Sequence, residues 1–182
     1  KKKLSKFKSD FKNKNYLKNI IKNIYLLLDE DNISYKIIED LFNGIESDLK
    51  EQVTISTKKD LLIYSYRVAG TVGLIMAKIL KVKDSYSLKC AIDLGIAMQL
   101  TNISRDVVED KKRGRSYINY DFKSIKETLD EAETFYDSSF SAIKSIPLFS
   151  RFSIILARRV YKKIGIEILK QKNLENYNNA GK

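Results

Sequence analysis

Residues that break helices are scarce in this chain, which has one proline and seven glycines among 182 residues. Proline and glycine disfavour a helix interior more than any other residues. Alternating apolar runs bounded by Asn-Gly or Asp-Gly turns, which indicate strands, are absent. The sequence therefore predicts an all-α bundle, long enough to bury a core, in a single domain over residues 1–182.

Apolar periodicity and capping residues predict six helices joined by short connections. A basic loop over residues 111–119 separates the fourth from the fifth, and Pro147 fits the first turn of the sixth. The predicted helices cover residues 15–28, 34–49, 57 or 60 to 80, 84 or 85 to 110, 121–146 and 147–172.

Composition limits the chemistry that this chain can perform. It has no histidine, which excludes histidine bases, Ser-His-Asp triads and histidine-bound zinc. Its one cysteine, Cys90, lies in an apolar stretch and is expected to be a buried, inert thiol. The remaining carboxylates, amides, tyrosines and cations suit a hard, oxygen-bound metal such as magnesium.

The net charge of +11 attracts polyanions: nucleic acid, anionic lipid or a diphosphate substrate. An A+T-rich coding sequence is an equally good origin for the many lysines. No charge-free apolar run of about 18 residues and no signal peptide are visible. The sequence thus predicts a cytoplasmic protein, with residues 1–22 either a basic contact for a membrane surface or a solvated basic helix.

Four polar residues share one stripe of the helix predicted to end at residue 110. Gln99, Asn102, Asp106 and Asp110 fall within about 80° of one another around the helix axis. Two aspartates one turn apart can hold magnesium, and the neighbouring amide can add an oxygen ligand. Arginines and lysines follow at once, which fits a metal-bridged diphosphate. The alternative is a solvated helix end held by salt bridges.

The helix predicted to end at residue 80 contains two interior glycines, Gly70 and Gly73. Each costs about 1 kcal/mol relative to alanine, and close backbone approach is the usual compensation. With Ala69 and Val72 they could form a smooth wall for a long isoprenoid chain, or they could serve ordinary tight helix packing.

Read together, these two helices resemble the phytoene/squalene synthase family. The first stretch is YSYRVAGTVGLIMAKIL and the second is DLGIAMQLTNISRDVVEDKKRGRSYI. The second is similar to the family's second aspartate-rich signature, and Thr71 in the first is more typical of phytoene synthases. Glu46 to Leu49 and Ala157 to Tyr161 carry weaker resemblance.

The resemblance implies an isoprenoid-synthase helical bundle around a central cavity. It implies Mg²⁺ and two allylic prenyl diphosphates, joined head to head through a cyclopropyl intermediate. Two molecules of geranylgeranyl diphosphate would give phytoene without a reductant, whereas a squalene-type reaction would use NADPH.

Site roles also follow from the resemblance. The metal ligands would be Asp106 and Asp110, with Asn102 assisting. Gln99 and Arg105 would contact diphosphate or its surroundings, and Tyr64 and Tyr161 would line the reacting centre. The residues shaping the pocket would be Val68, Ala69, Val72 and Gly73.

The family's first aspartate-rich motif has no counterpart here, since the D-x-x-x-D spacing occurs only at Asp106 and Asp110. Asn119 also replaces a proline common in the family. We therefore expect this chain to be an incomplete bundle, truncated at both ends, and to be inactive or nearly so by itself.

Three other interpretations stay open at this point. The protein could be a squalene-type synthase, or a non-catalytic relative that acts as an assembly factor. It could also be a basic helical module that binds nucleic acid. This last alternative lacks a recognisable nucleic-acid-reading motif, and its basic residues are dispersed, so no nucleic acid is expected as a partner.

Overall fold

The computed structural model describes residues 2–171 and residue 174, and it confirms the predicted all-α class. A five-residue π-helical turn (Tyr66–Gly70) and a 3-10 turn (Ile143–Ser145) supplement the α-helices. The helices are α1 (Lys2–Lys12), α2 (Asn19–Glu30), α3 (Tyr35–Asp48), α4 (Lys58–Ser65), α5 (Thr71–Ile79), α6 (Ser85–Lys112), α7 (Phe122–Phe140) and α8 (Leu148–Lys170).

Side-chain caps fix the starts of the central helices at the predicted positions. The Ser34 hydroxyl accepts from the backbone of Lys36, and Thr57 accepts from the backbone N–H of Asp60. The Asp84 carboxylate accepts from two N–H groups in the first turn of α6. Such caps satisfy amides that have no partner inside the helix.

Three elements differ from the sequence prediction. α1 is not among the six predicted helices, although a solvated basic helix was one interpretation of residues 1–22. Phe7 and Phe11 on one of its faces pack against Phe42 of α3. The helix predicted over residues 15–28 begins four residues later, and the one predicted to reach residue 146 ends at Phe140. Aromatic contacts with α3 hold α1 in place, and local propensity does not reveal such tertiary contacts.

Two short strands were also not predicted. β1 (Val53–Thr54) pairs in parallel with β2 (Arg115–Ser116). The pairing ties the segment after α6 to the segment after α3. It therefore fixes the position of the basic loop that follows Asp110.

α6 lies at the centre of the bundle and packs against α5, α7 and α8. Its apolar face is almost wholly buried, including Ala97 and Leu100 at 0% exposure. A hydrogen bond between the hydroxyls of Thr101 and Tyr136 (3.0 Å) joins α6 to α7. Ser138 of α7 also donates to the buried carboxylate of Asp93 (2.5 Å).

The backbones of α5 and of the π-helical turn before it touch the backbone of α6 at two glycines. A Cβ at Gly73 of α5 would collide with the carbonyl oxygen of Ala91, and one at Gly95 of α6 would collide with that of Ala69 in the π-helical turn. The contacts pair 73 with 91 and 69 with 95, so the two helices run antiparallel. Gly73 thus makes the close backbone approach expected of the interior glycines, whereas a Cβ at Gly70 would meet the side chains of Ile92 and Tyr66.

One stretch of the described residues is long and apolar enough to cross a membrane by length and composition alone. It is Lys58–Ile79, with a mean hydropathy of 1.2, whereas the sequence predicts no such helix. In the bundle this stretch packs against α3 and α6 through the π-helical turn and its glycines. Within this stretch, 28% of the apolar window is buried inside the structure.

Replacing Gly95 with alanine tests the backbone contact. The added methyl must push two backbones apart, so we expect Gly95→Ala to lower the free energy of unfolding by about 3 kcal/mol or more, at or above the upper end of overpacking costs. The measurement is urea denaturation followed by circular dichroism.

Gly165→Ala in α8 is the matched control. Its Cβ would meet only the end of the Leu129 side chain at 3.3 Å, so we expect a change within about 1 kcal/mol. Equal effects of the two substitutions would contradict the importance of the α5–α6 contact.

Candidate active site

A cavity of about 400 Å³ lies between α5, α6, α8 and the turn after α7. Most of its wall is apolar or small, and its two amide side chains lie in one region. Of the predicted site residues, those lining it are Val68, Ala69, Val72, Gly73, Gln99, Asn102 and Tyr161.

The cavity runs along α6 and has two unlike ends. Its α6 wall extends from Ser87 to Asn102, and these sixteen residues span about 22 Å of helix. Because α5 runs antiparallel to α6, Ala77 and Leu80 lie at the Ser87 end together with Ala142 and Ile146. Gln99, Asn102 and Tyr161 form the polar end.

Asn102 has a buried side-chain oxygen at this polar end. Its Oδ1 accepts no hydrogen bond from any described residue. A buried acceptor left without a partner costs about 1–3 kcal/mol. An oxygen kept free at the end of an apolar cavity indicates a place for a cation or a hydrogen-bond donor.

Asp106 lies one turn beyond Asn102 and is held by an arginine. Arg105 donates two hydrogen bonds to its carboxylate, Nε to Oδ1 at 2.8 Å and Nη2 to Oδ2 at 2.7 Å. The paired carboxylate raises the pKa of the Arg105 guanidinium. The arginine thus neutralises one acid of the predicted metal pair.

Asp110, one turn further, is half-buried and unfavourably placed for a charge. Burial raises the pKa of its carboxyl, and repulsion from Asp106 raises it further, while Arg115 and Arg113 act in the opposite direction. Asp110 lines a second, smaller cavity of about 290 Å³ together with Lys111, Arg115 and Tyr117. Neither Asp106, Asp110 nor Arg105 belongs to the wall of the larger cavity.

Tyr64 lies behind the cavity wall, at the end of α4. Its hydroxyl donates to both oxygens of Asp48, at 2.9 and 3.1 Å, and its ring stacks on Tyr117 with 4.8 Å between centroids. Burial, the hydrogen bond with Tyr117 and the charge of Asp48 raise the pKa of Tyr64. Tyr161, in contrast, faces the cavity.

Sequence reasoning missed two groups of residues. The far wall formed by Ser139, Ala142 and Ile146 belongs to no motif and lies where a continuous helix was predicted. The partnership of Asp48 with Tyr64 and Tyr117 was also missed, although the acidic stretch ending α3 resembled the family. Only long-range packing brings these residues together.

The donor set fits magnesium as part of a site. Two carboxylates and one amide oxygen on successive turns are hard oxygen ligands. Within residues 2–171 and 174, no group of three or more histidine, cysteine, aspartate or glutamate side chains could hold a metal. The remaining coordination positions would fall to water and phosphate oxygens.

Comparison with known proteins gives relatives of one kind. The family model for squalene/phytoene synthase matches residues 3–122. A 15-cis-phytoene synthase of Pantoea ananas is 37% identical over 150 residues, which cover 71% of this chain and 48% of that protein. A chloroplastic phytoene synthase of Daucus carota is 30% identical over 166 residues, covering 76% and 41%. The chain therefore spans about half the length of the curated relatives it matches or less.

Solved structures share the fold. A squalene synthase from Alicyclobacillus acidocaldarius superposes with a TM-score of 0.78 at 16% identity, covering 92% of this chain and 73% of that chain. A dehydrosqualene synthase in complex with a ligand gives 0.76 at 23% identity, covering 98% and 71%. The bundle has the isoprenoid-synthase fold that these enzymes share, and the chain belongs to the squalene/phytoene synthase family.

Proposed function

We propose that the protein joins two allylic prenyl diphosphates head to head, converting geranylgeranyl diphosphate to phytoene with release of diphosphate. The observation that carries the proposal is the α6 wall of the larger cavity. It leads from an apolar far end to an amide and carboxylate row on the same helix. An apolar prenyl chain with a diphosphate at one end has the same distribution of apolar and polar groups along its length.

Asn102, Asp106 and Asp110 would hold Mg²⁺, and Gln99 and Arg105 would contact the diphosphate. Bound magnesium would neutralise the charge of the diphosphate and help it to leave. The Arg105 guanidinium, now paired with Asp106, could shift toward a phosphate oxygen once a metal takes the carboxylate. The Asp110 carboxylate, whose charge is disfavoured by burial and by Asp106, would gain a cationic partner.

The apolar wall excludes water from the reacting carbons. In the first half-reaction the C–O bond of one substrate breaks and diphosphate leaves with the electron pair. The double bond of the second substrate then attacks the carbocation, and a proton is lost as the cyclopropane ring closes. Loss of the second diphosphate, rearrangement and loss of a proton then give the hydrocarbon without a reductant. The Tyr161 ring faces the cavity and can stabilise a cation there, whereas the Tyr64 hydroxyl is bound to Asp48.

A peripheral contact with a membrane is part of the proposal, because substrate and product are both apolar. In the first two helices and their connection, Leu17 is 96% exposed and Ile20 is 59% exposed. Lys12, Lys14 and Lys22 are exposed beside them. Apolar and basic residues on one surface favour anionic lipid.

The test of the proposal uses the protein expressed from its complete gene. Incubated with geranylgeranyl diphosphate and Mg²⁺, it is expected to produce phytoene with or without NADPH, as measured by chromatography of the hydrocarbon fraction. Squalene-type product that depends on NADPH would favour the squalene alternative. A well-folded protein that makes no hydrocarbon from geranylgeranyl or farnesyl diphosphate would favour the non-catalytic relative.

Asp106→Asn is expected to reduce the rate of phytoene formation by more than about 100-fold, because metal binding supplies several kcal/mol of charge stabilisation. Asp130→Asn, an exposed carboxylate on α7, is the matched control and should keep the wild-type rate. Equal rates for the two variants would contradict the metal role of Asp106.

Asp110→Asn is expected to raise the melting temperature in metal-free buffer at pH 7, because burial and Asp106 disfavour the charged form. A carboxyl with a raised pKa in the folded state stabilises the fold at low pH and loses that contribution as the pH rises. The advantage of Asn should therefore be largest at neutral pH and should vanish below pH 3.8, the ordinary value for aspartate. Differential scanning fluorimetry across pH measures it, and an advantage that persists at acid pH would contradict this assignment.

The far end of the cavity should limit the length of the prenyl chain. Ala77→Met narrows that end, so preference in a competition assay should move from geranylgeranyl toward farnesyl diphosphate by about tenfold or more. Ala157→Met, on the α8 wall, should instead reduce the use of both substrates. The same effect from both substitutions would contradict the proposed orientation of the chain.

A further inference from the structure

The carboxylate of Asp48, the last residue of α3, joins three segments that approach the candidate site from different directions. It accepts hydrogen bonds from Tyr64 of α4 at 2.9 Å and from Tyr117, just after β2, at 2.8 Å. The Asp48 backbone oxygen accepts a further bond from Nη2 of Arg115 in β2 at 3.2 Å. No two of these donors are closer than 50 residues in sequence except Arg115 and Tyr117.

The two phenols are buried, so their hydroxyls depend on this carboxylate. Tyr64 is 8% exposed and Tyr117 is 6% exposed, and their rings stack. Burial raises the pKa of Tyr117 to about 12, with the charge of Asp48 adding to the rise. Both tyrosines therefore remain protonated donors over the pH range in which proteins work. A side chain that can only accept hydrogen bonds, in place of either tyrosine, would lose the bond to Asp48.

The donors are connected to two different parts of the candidate site. Tyr64 lies two residues before the start of the π-helical turn whose Val68 and Ala69 line the larger cavity. Arg115 and Tyr117 line the smaller cavity together with Asp110. The positive charge of Arg115 also lowers the pKa of Asp110, against the burial and repulsion that raise it.

We propose that Asp48 is a positioning residue for the reaction, resting on the function proposed above. By binding Tyr64 and Tyr117 and the Arg115 side chain, it holds the segment after α6 and the cavity helix in fixed relation to Asp110. The metal ions and the diphosphate groups then bind to a site whose side chains already have the required positions. Asp48 itself contacts neither substrate nor metal in this arrangement.

The test is Asp48→Asn in the protein expressed from its complete gene. Asparagine keeps the shape and one oxygen, but it loses the negative charge of the carboxylate whose Oδ1 accepts from both hydroxyls. Its NH₂ also replaces Oδ2, the second acceptor for the Tyr64 hydroxyl, and cannot accept a hydrogen bond. We expect kcat to fall by about 10- to 100-fold, the usual effect of losing a group that orients metal ligands. The Mg²⁺ concentration for half-maximal rate should rise, while the KM for the prenyl diphosphate should change little, since the apolar wall is intact.

Tyr117→Phe removes the hydroxyl that donates to Asp48 and keeps the ring that stacks on Tyr64. It should show a smaller loss of the same kind. The double variant Asp48→Asn/Tyr117→Phe should be little worse than Asp48→Asn alone, because the residues act as one unit. Asp130→Asn is the matched control and should show wild-type kinetics.

A second measurement does not depend on turnover. Mg²⁺ with inorganic diphosphate should raise the melting temperature of the wild type, and Asp48→Asn should need a higher concentration of both for the same rise. If the wild type makes no hydrocarbon, the proposed function is wrong. The difference in melting-temperature shift between the wild type and Asp48→Asn still tests the positioning role of Asp48. The proposal is overturned if Asp48→Asn matches Asp130→Asn in kcat and in the shift, or if its effect and that of Tyr117→Phe simply add.

Discussion

The contact between the backbones of α5 and α6 is the constraint on which the rest of the structure depends. Gly73 lies against Ala91 and Gly95 lies against Ala69, with no room for a side chain at either glycine. This approach sets the antiparallel register of the two helices. It also leaves their other faces to form a smooth wall, which carries Val68 and Val72 along the cavity. The length and direction of the cavity follow from that register.

The polar end of the cavity is electrostatically unsatisfied without a ligand. The Asn102 oxygen has no partner among the described residues, and the charge of Asp110 is opposed by burial and by Asp106. Only Asp106 is fully paired, through Arg105. Residues arranged for a ligand often carry such a cost in its absence. A divalent cation that bridges this row to a diphosphate would give both the Asn102 oxygen and the Asp110 carboxylate a partner.

Local patterns in the sequence predict much of the fold and part of the site. The scarcity of helix breakers predicts the all-α class, and the caps at Ser34 and Asp84 predict where α3 and α6 begin. The 3.6-residue period places Gln99 and Asn102 on one stripe, and both line the cavity. Whether the aspartates of that stripe bind metal stays a prediction.

Long-range packing decides what the sequence does not reveal. α1 is held by aromatic contacts with α3, and no local capping signal marks it. The two-residue strands depend on a pairing across about 60 residues. Tyr64 carries a family motif, but only the fold shows that its hydroxyl meets Asp48, so its orientation had no local signal.

A crystal structure of the protein with Mn²⁺ and an unreactive thio-analogue of geranylgeranyl diphosphate tests the central claim most directly. We expect anomalous density for Mn²⁺ beside Asp106 and Asp110. We also expect the prenyl chain to follow α6 from Asn102 toward Ser87, with its end near Ala77 and Ala142. An analogue bound outside this cavity, or in it with the diphosphate at the Ser87 end, would contradict the account.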